Sequence, residues 1–213
     1  MSKGFFISLE GGEGAGKSTQ IKRLSQRLEK SGYNNTCTRE PGGTPGAELI
    51  RDLLVRGDAS RWTPKTEALL MFAARQEHVE KVIKPTLEKG EWVICDRFAD
   101  SSVAYQGIGH GLGAKKITDL HEWVLGDFQP DLTLILDLPV SVGLGRTRGH
   151  DLGENRFEGM ETSFHERMRD GFLSIAKESP SRCIVIDATQ SLDDVENSIW
   201  KAVTDKFTGS FNG

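Results

Sequence analysis

Phe5-Phe6-Ile7-Ser8-Leu9-Glu10-Gly11-Gly12-Glu13-Gly14-Ala15-Gly16-Lys17-Ser18-Thr19 is the stretch on which the fold turns. A short apolar run meets a loop that fits G-x-x-x-x-G-K-[ST], and a helical period follows at once, with Ile21, Leu24 and Leu28 at i, i+3 and i+7 of the segment Lys17–Lys30. Strand, loop and helix stand in the required order. The glycines open backbone conformations closed to other residues, so that successive N–H groups and the helix N-terminus converge on phosphate oxygens. Gly11, Gly12, Glu13, Gly14, Ala15, Gly16, Lys17, Ser18 and Thr19 are thus expected to cradle a triphosphate. Lys17 is placed to bridge β- and γ-phosphates and Ser18 to ligate Mg²⁺.

Outward from the loop, strand-like runs alternate with longer helical stretches to the end of the chain. The runs are Phe5–Leu9, Asn35–Thr38, Trp92–Cys95, Leu132–Leu136 and Cys183–Ile186. The third to fifth read as apolar on both faces, as strands covered by helices on two sides must be. Helical patterns cover Lys17–Lys30, about Thr66 to Glu88, Ala114–Leu125, Glu161–Lys177 and Leu192–Phe207. The pattern predicts an α/β protein with the P-loop NTPase fold: a five-stranded parallel sheet flanked by helices on both faces, in one domain spanning 1–213. The last five residues read as a frayed tail.

Between Gly143 and Gly159 the pattern breaks. Five glycines are interleaved there with Arg146, Arg148 and Arg156, so the stretch is expected to pack poorly and to move, as a lid over the site.

The balance of charge narrows the partners. A net charge of -4 and a pI near 5.8 give no reason to expect nucleic acid or an anionic membrane surface, and point to small molecules. No apolar run approaches the ~20 residues of a membrane span, and turn glycines follow the start too soon for a signal peptide, so a cytoplasmic location is expected. Cys37, Cys95 and Cys183 have neither zinc spacing nor a CxxC pair and read as buried free thiols.

The loop alone does not separate GTPases, motors, transporters and small-molecule kinases. Asn-Lys-x-Asp and Asp-x-x-Gly are both absent, which disfavours a regulatory GTPase. A substrate kinase needs an acidic metal organiser at a strand end, cations for the acceptor's phosphate and a cover that excludes water. The third strand ends in Asp96-Arg97-Phe98, at the sheet edge where open α/β folds bind ligands.

Four segments together resemble the bacterial thymidylate kinase family: Leu9 to Ser18, Arg39-Glu40-Pro41-Gly42-Gly43-Thr44, Asp96-Arg97-Phe98 with Ser101, Tyr105 and Gln106, and Pro130-Asp131-Leu132-Thr133. The likeness covers nearly the whole chain. It implies transfer of the γ-phosphoryl of ATP to dTMP, giving dTDP and ADP, by a Mg²⁺-dependent homodimer. It implies that Glu13 faces the acceptor sugar, that Arg39 and Arg97 hold the acceptor phosphate, and that Asp96 is the partner of the magnesium. Phe72 and Arg75, three apart on a helix, are the implied base-stacking and base-reading pair, although Phe72 taken alone reads as core. Ser101, Tyr105 and Gln106 complete the implied dTMP pocket, and the backbone of Asp187-Ala188-Thr189-Gln190 borders the adenine. With Gly14 where some relatives carry a basic loop residue, the chain resembles the group whose lid supplies catalytic arginines, with Arg148 first and Arg146 and Arg156 next. Two other readings stay open. A nucleoside monophosphate kinase of different base preference is separable by a substrate panel, and a non-catalytic ATP-binding module by indifference of ATP hydrolysis to every nucleoside monophosphate.

Overall fold

The computed structural model describes residues 4–147, 156, 157 and 159–211. The chain runs β1 (Phe6–Glu10), α1 (Lys17–Lys30), β2 (Asn35–Arg39), α2 (Pro45–Val55), α3 (Pro64–His78), a π-helical turn (Val79–Ile83), α4 (Lys84–Glu88) and β3 (Trp92–Asp96). It continues with α5 (Ala99–Ser102), a second π-helical turn (Val103–Gly109), α6 (Ala114–Leu125), β4 (Leu132–Asp137), α7 (Val140–Thr147), α8 (Thr162–Glu178), β5 (Cys183–Asp187) and α9 (Leu192–Lys206). The five strands are parallel in the order β2-β3-β1-β4-β5. Both the fold class and the strand count match the sequence reading.

Every strand extends to a charged residue, Glu10, Arg39, Asp96, Asp137 and Asp187, that the apolar pattern alone excludes. The backbone ladder continues through these residues. Register brings Leu9 opposite Asp96 and Glu10 opposite Ile135, so carboxylates collect at one edge of the sheet. Beneath them β1 is buried throughout, with one large core between the sheet and helices α1 and α9.

Several expectations need correction. β5 is an edge strand and is not apolar on both faces in effect, since Val185 is 43 % exposed. Cys37 is exposed, on β2 at the opposite edge of the sheet. The helix α2 is additional to the helical stretches read from the sequence. Its start is nonetheless written in the sequence, with Pro45 in the first turn and Thr44 Oγ1 accepting from the Ala47 amide at 3.1 Å. The tail does not fray at Phe211, whose ring packs against those of Tyr33, Trp92 and Trp200.

The glycine and arginine stretch also begins differently. It is helical as far as Thr147, and Gly143 is buried. A Cβ on Gly143 would stand 2.4 Å from the Glu13 carbonyl oxygen, and one on Gly14 would stand 2.2 Å from the Gly143 carbonyl. Glycine at both positions lets α7 lie directly on the phosphate loop.

Candidate functional site

Gly11, Gly14 and Gly16 take positive φ values of 132°, 68° and 86°, which bend the loop between β1 and α1. Lys17 folds back over it, its Nζ donating to the carbonyls of Gly11 at 3.2 Å and Gly12 at 3.0 Å. Burial lowers the pKa of this ammonium, and Arg97 lowers it further. Ser18 Oγ donates to Asp96 Oδ2 at 3.1 Å. A hydroxyl beside a carboxylate is an oxygen donor pair of the kind Mg²⁺ prefers. No group of three or more His, Cys, Asp or Glu side chains suited to a metal occurs among the described residues, so an ion here would complete its shell with water and phosphate oxygens.

Around the loop lies an open cleft lined by residues 13–19, Arg39, Arg51, Asp96, Arg97 and Arg146. Beside it a cavity of about 650 Å³, its mouth included, is lined by residues that include Glu13, Met71, Arg75, Arg97, Phe98 and Gln106. Glu13, Glu40, Arg51 and Arg97 belong to both spaces. Arg97 is the junction. It is the described non-glycine residue with positive φ, 69°, and its guanidinium donates to Glu13 Oε1 at 2.9 Å, Gly11 O at 3.0 Å and Ser101 Oγ at 3.2 Å. Burial works against its charge, but Tyr105, Glu13, Asp96 and Glu10 outweigh that and raise its pKa. Glu13 also accepts the Tyr105 hydroxyl at 2.6 Å. Burial pushes the Glu13 carboxyl upward, yet Arg97, Lys17 and Tyr105 prevail and hold it at about 2.

The far wall of the cavity is built from α3 and the second π-helical turn. Arg75 Nε donates to Glu40 Oε2 at 2.7 Å and Nη2 to Phe98 O and Ser102 Oγ, both at 3.1 Å, while Nη1 has no partner among the described residues. Gln106 Nε2 donates to Glu67 Oε1 at 2.7 Å, and Gln106 Oε1 is likewise unpartnered. Two residues of this wall thus each hold a buried polar atom without a protein partner among the described residues, one a donor and one an acceptor. The π-helical turn brings the neighbours Tyr105 and Gln106 into the same lining.

A family model described as thymidylate kinase matches residues 9–199. The chain belongs to the thymidylate kinase family. It is 56 % identical over 206 residues to the thymidylate kinase of Caulobacter vibrioides, covering 97 % of this chain and 99 % of that protein. To the thymidylate kinase of Magnetococcus marinus it is 48 % identical over 209 residues, covering 98 % and 100 %. A crystal structure of thymidylate kinase from Ehrlichia chaffeensis superposes with a TM-score of 0.77 at 37 % identity, covering 95 % of this chain and 99 % of that one.

Within this thymidylate kinase fold, Lys17, Ser18, Glu13, Arg39, Asp96, Arg97, Arg75, Ser101, Tyr105 and Gln106 all line the two joined spaces. Arg39 is half exposed and paired with Glu48 at 3.1 Å. Ser101 is placed there, but its hydroxyl donates to Glu10 Oε2 at 2.5 Å and is engaged below the cavity. Ala188 and Gln190 border a third hollow with Gly14, Gly16 and Arg146.

Two candidates fall elsewhere. Phe72 packs in the contact of α3 with α6, beside Ala68 and Ile117, and Met71 lines the cavity in its stead. Residues three and four before Arg75 share its helix face, and spacing did not choose between them. Arg156 is buried against Glu67, Nη1 to Oε2 2.5 Å, with further bonds to the carbonyls of Leu54, Asp58 and Ala59. It braces the fold and does not line the phosphate cleft. Arg148 lies outside the described residues. Arg146 does reach the loop, its Nη1 donating to Gly14 O at 3.3 Å and Ala188 O at 3.5 Å.

Sequence reasoning missed Arg51, which lines both spaces from α2 and donates to Pro41 O at 2.8 Å. It also gave no role to Glu10, whose Oε1 accepts the Phe98 amide at 2.7 Å beneath the Asp96-Arg97-Phe98 bend.

Proposed function

We propose that this member of the thymidylate kinase family binds ATP on the phosphate loop and dTMP in the adjoining cavity, and passes the γ-phosphoryl group across the junction at Arg97. The observation that supports this is the sharing of Glu13, Arg51 and Arg97 between the two spaces, which brings donor and acceptor phosphates to one point. Phosphoryl transfer asks mainly for alignment and for cations around the moving group. Lys17 neutralises the donor phosphates, while Arg97, with Arg39 and Arg51, holds the acceptor phosphate. Arg146, on α7 above the loop, stabilises charge on the transferring group.

Ser18 and Asp96 would hold a magnesium ion, which supplies charge neutralisation on the donor phosphates. Glu13, kept ionised by Arg97, accepts from the acceptor sugar, and the wall carrying Arg75 and Gln106 receives the base. The chain is read as one kinase domain working in the cytosol, consistent with free thiols and with no helix among the described residues long and apolar enough to cross a membrane.

A homodimer fits the exposed apolar side chains Leu49, Leu53, Leu69 and Trp123 on α2, α3 and α6, the last 82 % exposed. Isolated apolar residues are ordinary, but these four crowd neighbouring helices. Release of ADP, coupled to a spectrophotometric assay with dTMP, dUMP, dCMP, dGMP and AMP as acceptors, tests the whole reading. Preference for dTMP is expected, and equal use of dCMP or AMP is the result that would sink it.

A further inference from the structure

Glu67, on α3, is fully buried and lies outside the lining of the base cavity, yet it fixes a residue that forms that lining. Its Oε1 accepts from Gln106 Nε2 at 2.7 Å and stands 3.3 Å from His110 Nε2. Its Oε2 pairs with Arg156 Nη1 at 2.5 Å. Burial would raise the Glu67 pKa, but His110, Gln106 and Arg156 lower it, so the group remains an anion.

An ionised carboxylate only accepts hydrogen bonds, so an amide beside it must turn its NH₂ end inward. Gln106 then has one end left. That end is Oε1, buried and unpartnered, in a residue of the cavity wall. Arg75 Nη1, in the same wall, is equally unpartnered and can only donate. Thymine presents an N3–H donor flanked by carbonyl acceptors on its pairing edge, whereas cytosine presents a bare N3 acceptor and an exocyclic amine donor.

We propose that Glu67 is a positioning residue that sets base specificity: by locking the Gln106 amide in one orientation it makes the wall an acceptor for the N3–H of thymine and a mismatch for cytosine. Released from Glu67, the amide can rotate and offer NH₂ to the N3 of cytosine instead. A buried mismatch of like groups discriminates far more strongly than a missing methyl. The inference rests on the reading that this cavity holds the acceptor base.

The test compares kcat/KM for dTMP and dCMP at saturating ATP in the wild type, in Glu67→Gln and in the double variant Glu67→Gln with Arg156→Met, which removes the buried cation along with the anion. Glutamine at 67 can donate as well as accept, so the lock is lost while shape is kept. The ratio of dTMP to dCMP use is expected to fall at least about tenfold in the variants, through KM more than kcat, with the KM for ATP unchanged. A folded variant whose ratio stays within about twofold of wild type overturns the proposal. A second arm needs only the wild-type protein: a 3-deaza analogue of dTMP, with C–H in place of N3–H, should raise the acceptor KM at least about tenfold, and equal use of the analogue overturns the proposal whatever the variants do. A wild type that does not prefer dTMP to dCMP at all refutes the base-cavity reading itself, so the two failures are told apart.

Discussion

Arg97 Nη2 donates to Glu13 Oε1 at 2.9 Å, so a cation from the end of β3 and an acid from inside the phosphate loop neutralise each other at the border of the two spaces. Each would be awkward alone. A carboxylate in an anion-binding loop opposes the triphosphate, and a buried guanidinium needs acceptors. Together they let the loop keep an acid that can face the acceptor.

Arg97→Ala removes the charge-assisted fork at this border. The loss expected is about 2–4 kcal/mol in kcat/KM for dTMP, with ATP affinity nearly unchanged and partial rescue by lysine. Equal loss of ATP binding, titrated without dTMP, would assign Arg97 to the donor side.

Arg146→Ala removes the cation that α7 holds over the loop through Gly14 and Ala188. A drop in kcat of roughly 10²-fold is expected, with nucleotide Kd values moving only a few-fold, as for a contact made chiefly in the transition state. Wild-type turnover in this variant would reduce α7 to a cover over the loop.

Gly143→Ala tests the seat of that helix. The added methyl would meet the Glu13 carbonyl at 2.4 Å, and backbone must move to admit it. A loss of about 1–3 kcal/mol in urea unfolding, or a raised KM for ATP, is expected. A variant with wild-type stability and kinetics would show that α7 does not rest on the loop in solution.

Glu10 makes stability depend on pH. Burial and the neighbouring Asp100 raise its pKa to about 7, although Ser101, Arg97 and the Phe98 amide pull the other way. A carboxyl that binds its proton more tightly folded than unfolded favours folding at low pH and loses that advantage as pH rises through its folded pKa. Glu10→Gln should therefore gain on wild type by about 2 kcal/mol between pH 5.5 and 8.5, read by thermal unfolding at each pH. A difference that is flat or falls with pH contradicts the assignment.

Trp123→Glu with Leu69→Glu places charge on the exposed apolar face of α3 and α6. Sedimentation equilibrium should find a dimer for wild type and a monomer for the variant. A wild type that sediments as a monomer removes the homodimer from the functional reading.

The sequence by itself determined the phosphate loop, the parallel sheet and the identity of most residues in the cleft. Those signals are local: glycine spacing, an apolar period and short segments such as Asp96-Arg97-Phe98 carry them in consecutive residues. Tertiary structure decided which side of a helix faces which neighbour. Met71 and Phe72 both lie within one turn of Arg75, and only the packing of α3 on α6 sent Phe72 to the core and left Met71 at the cavity. Arg156 reads as a lid cation until its partner is known. That partner, Glu67, is far away in sequence, and a carboxylate buried there requires a cation beside it, since an unpaired buried charge is costly. Glu10, Glu67 and Arg51 act through neighbours from other elements, across separations that no local pattern encodes.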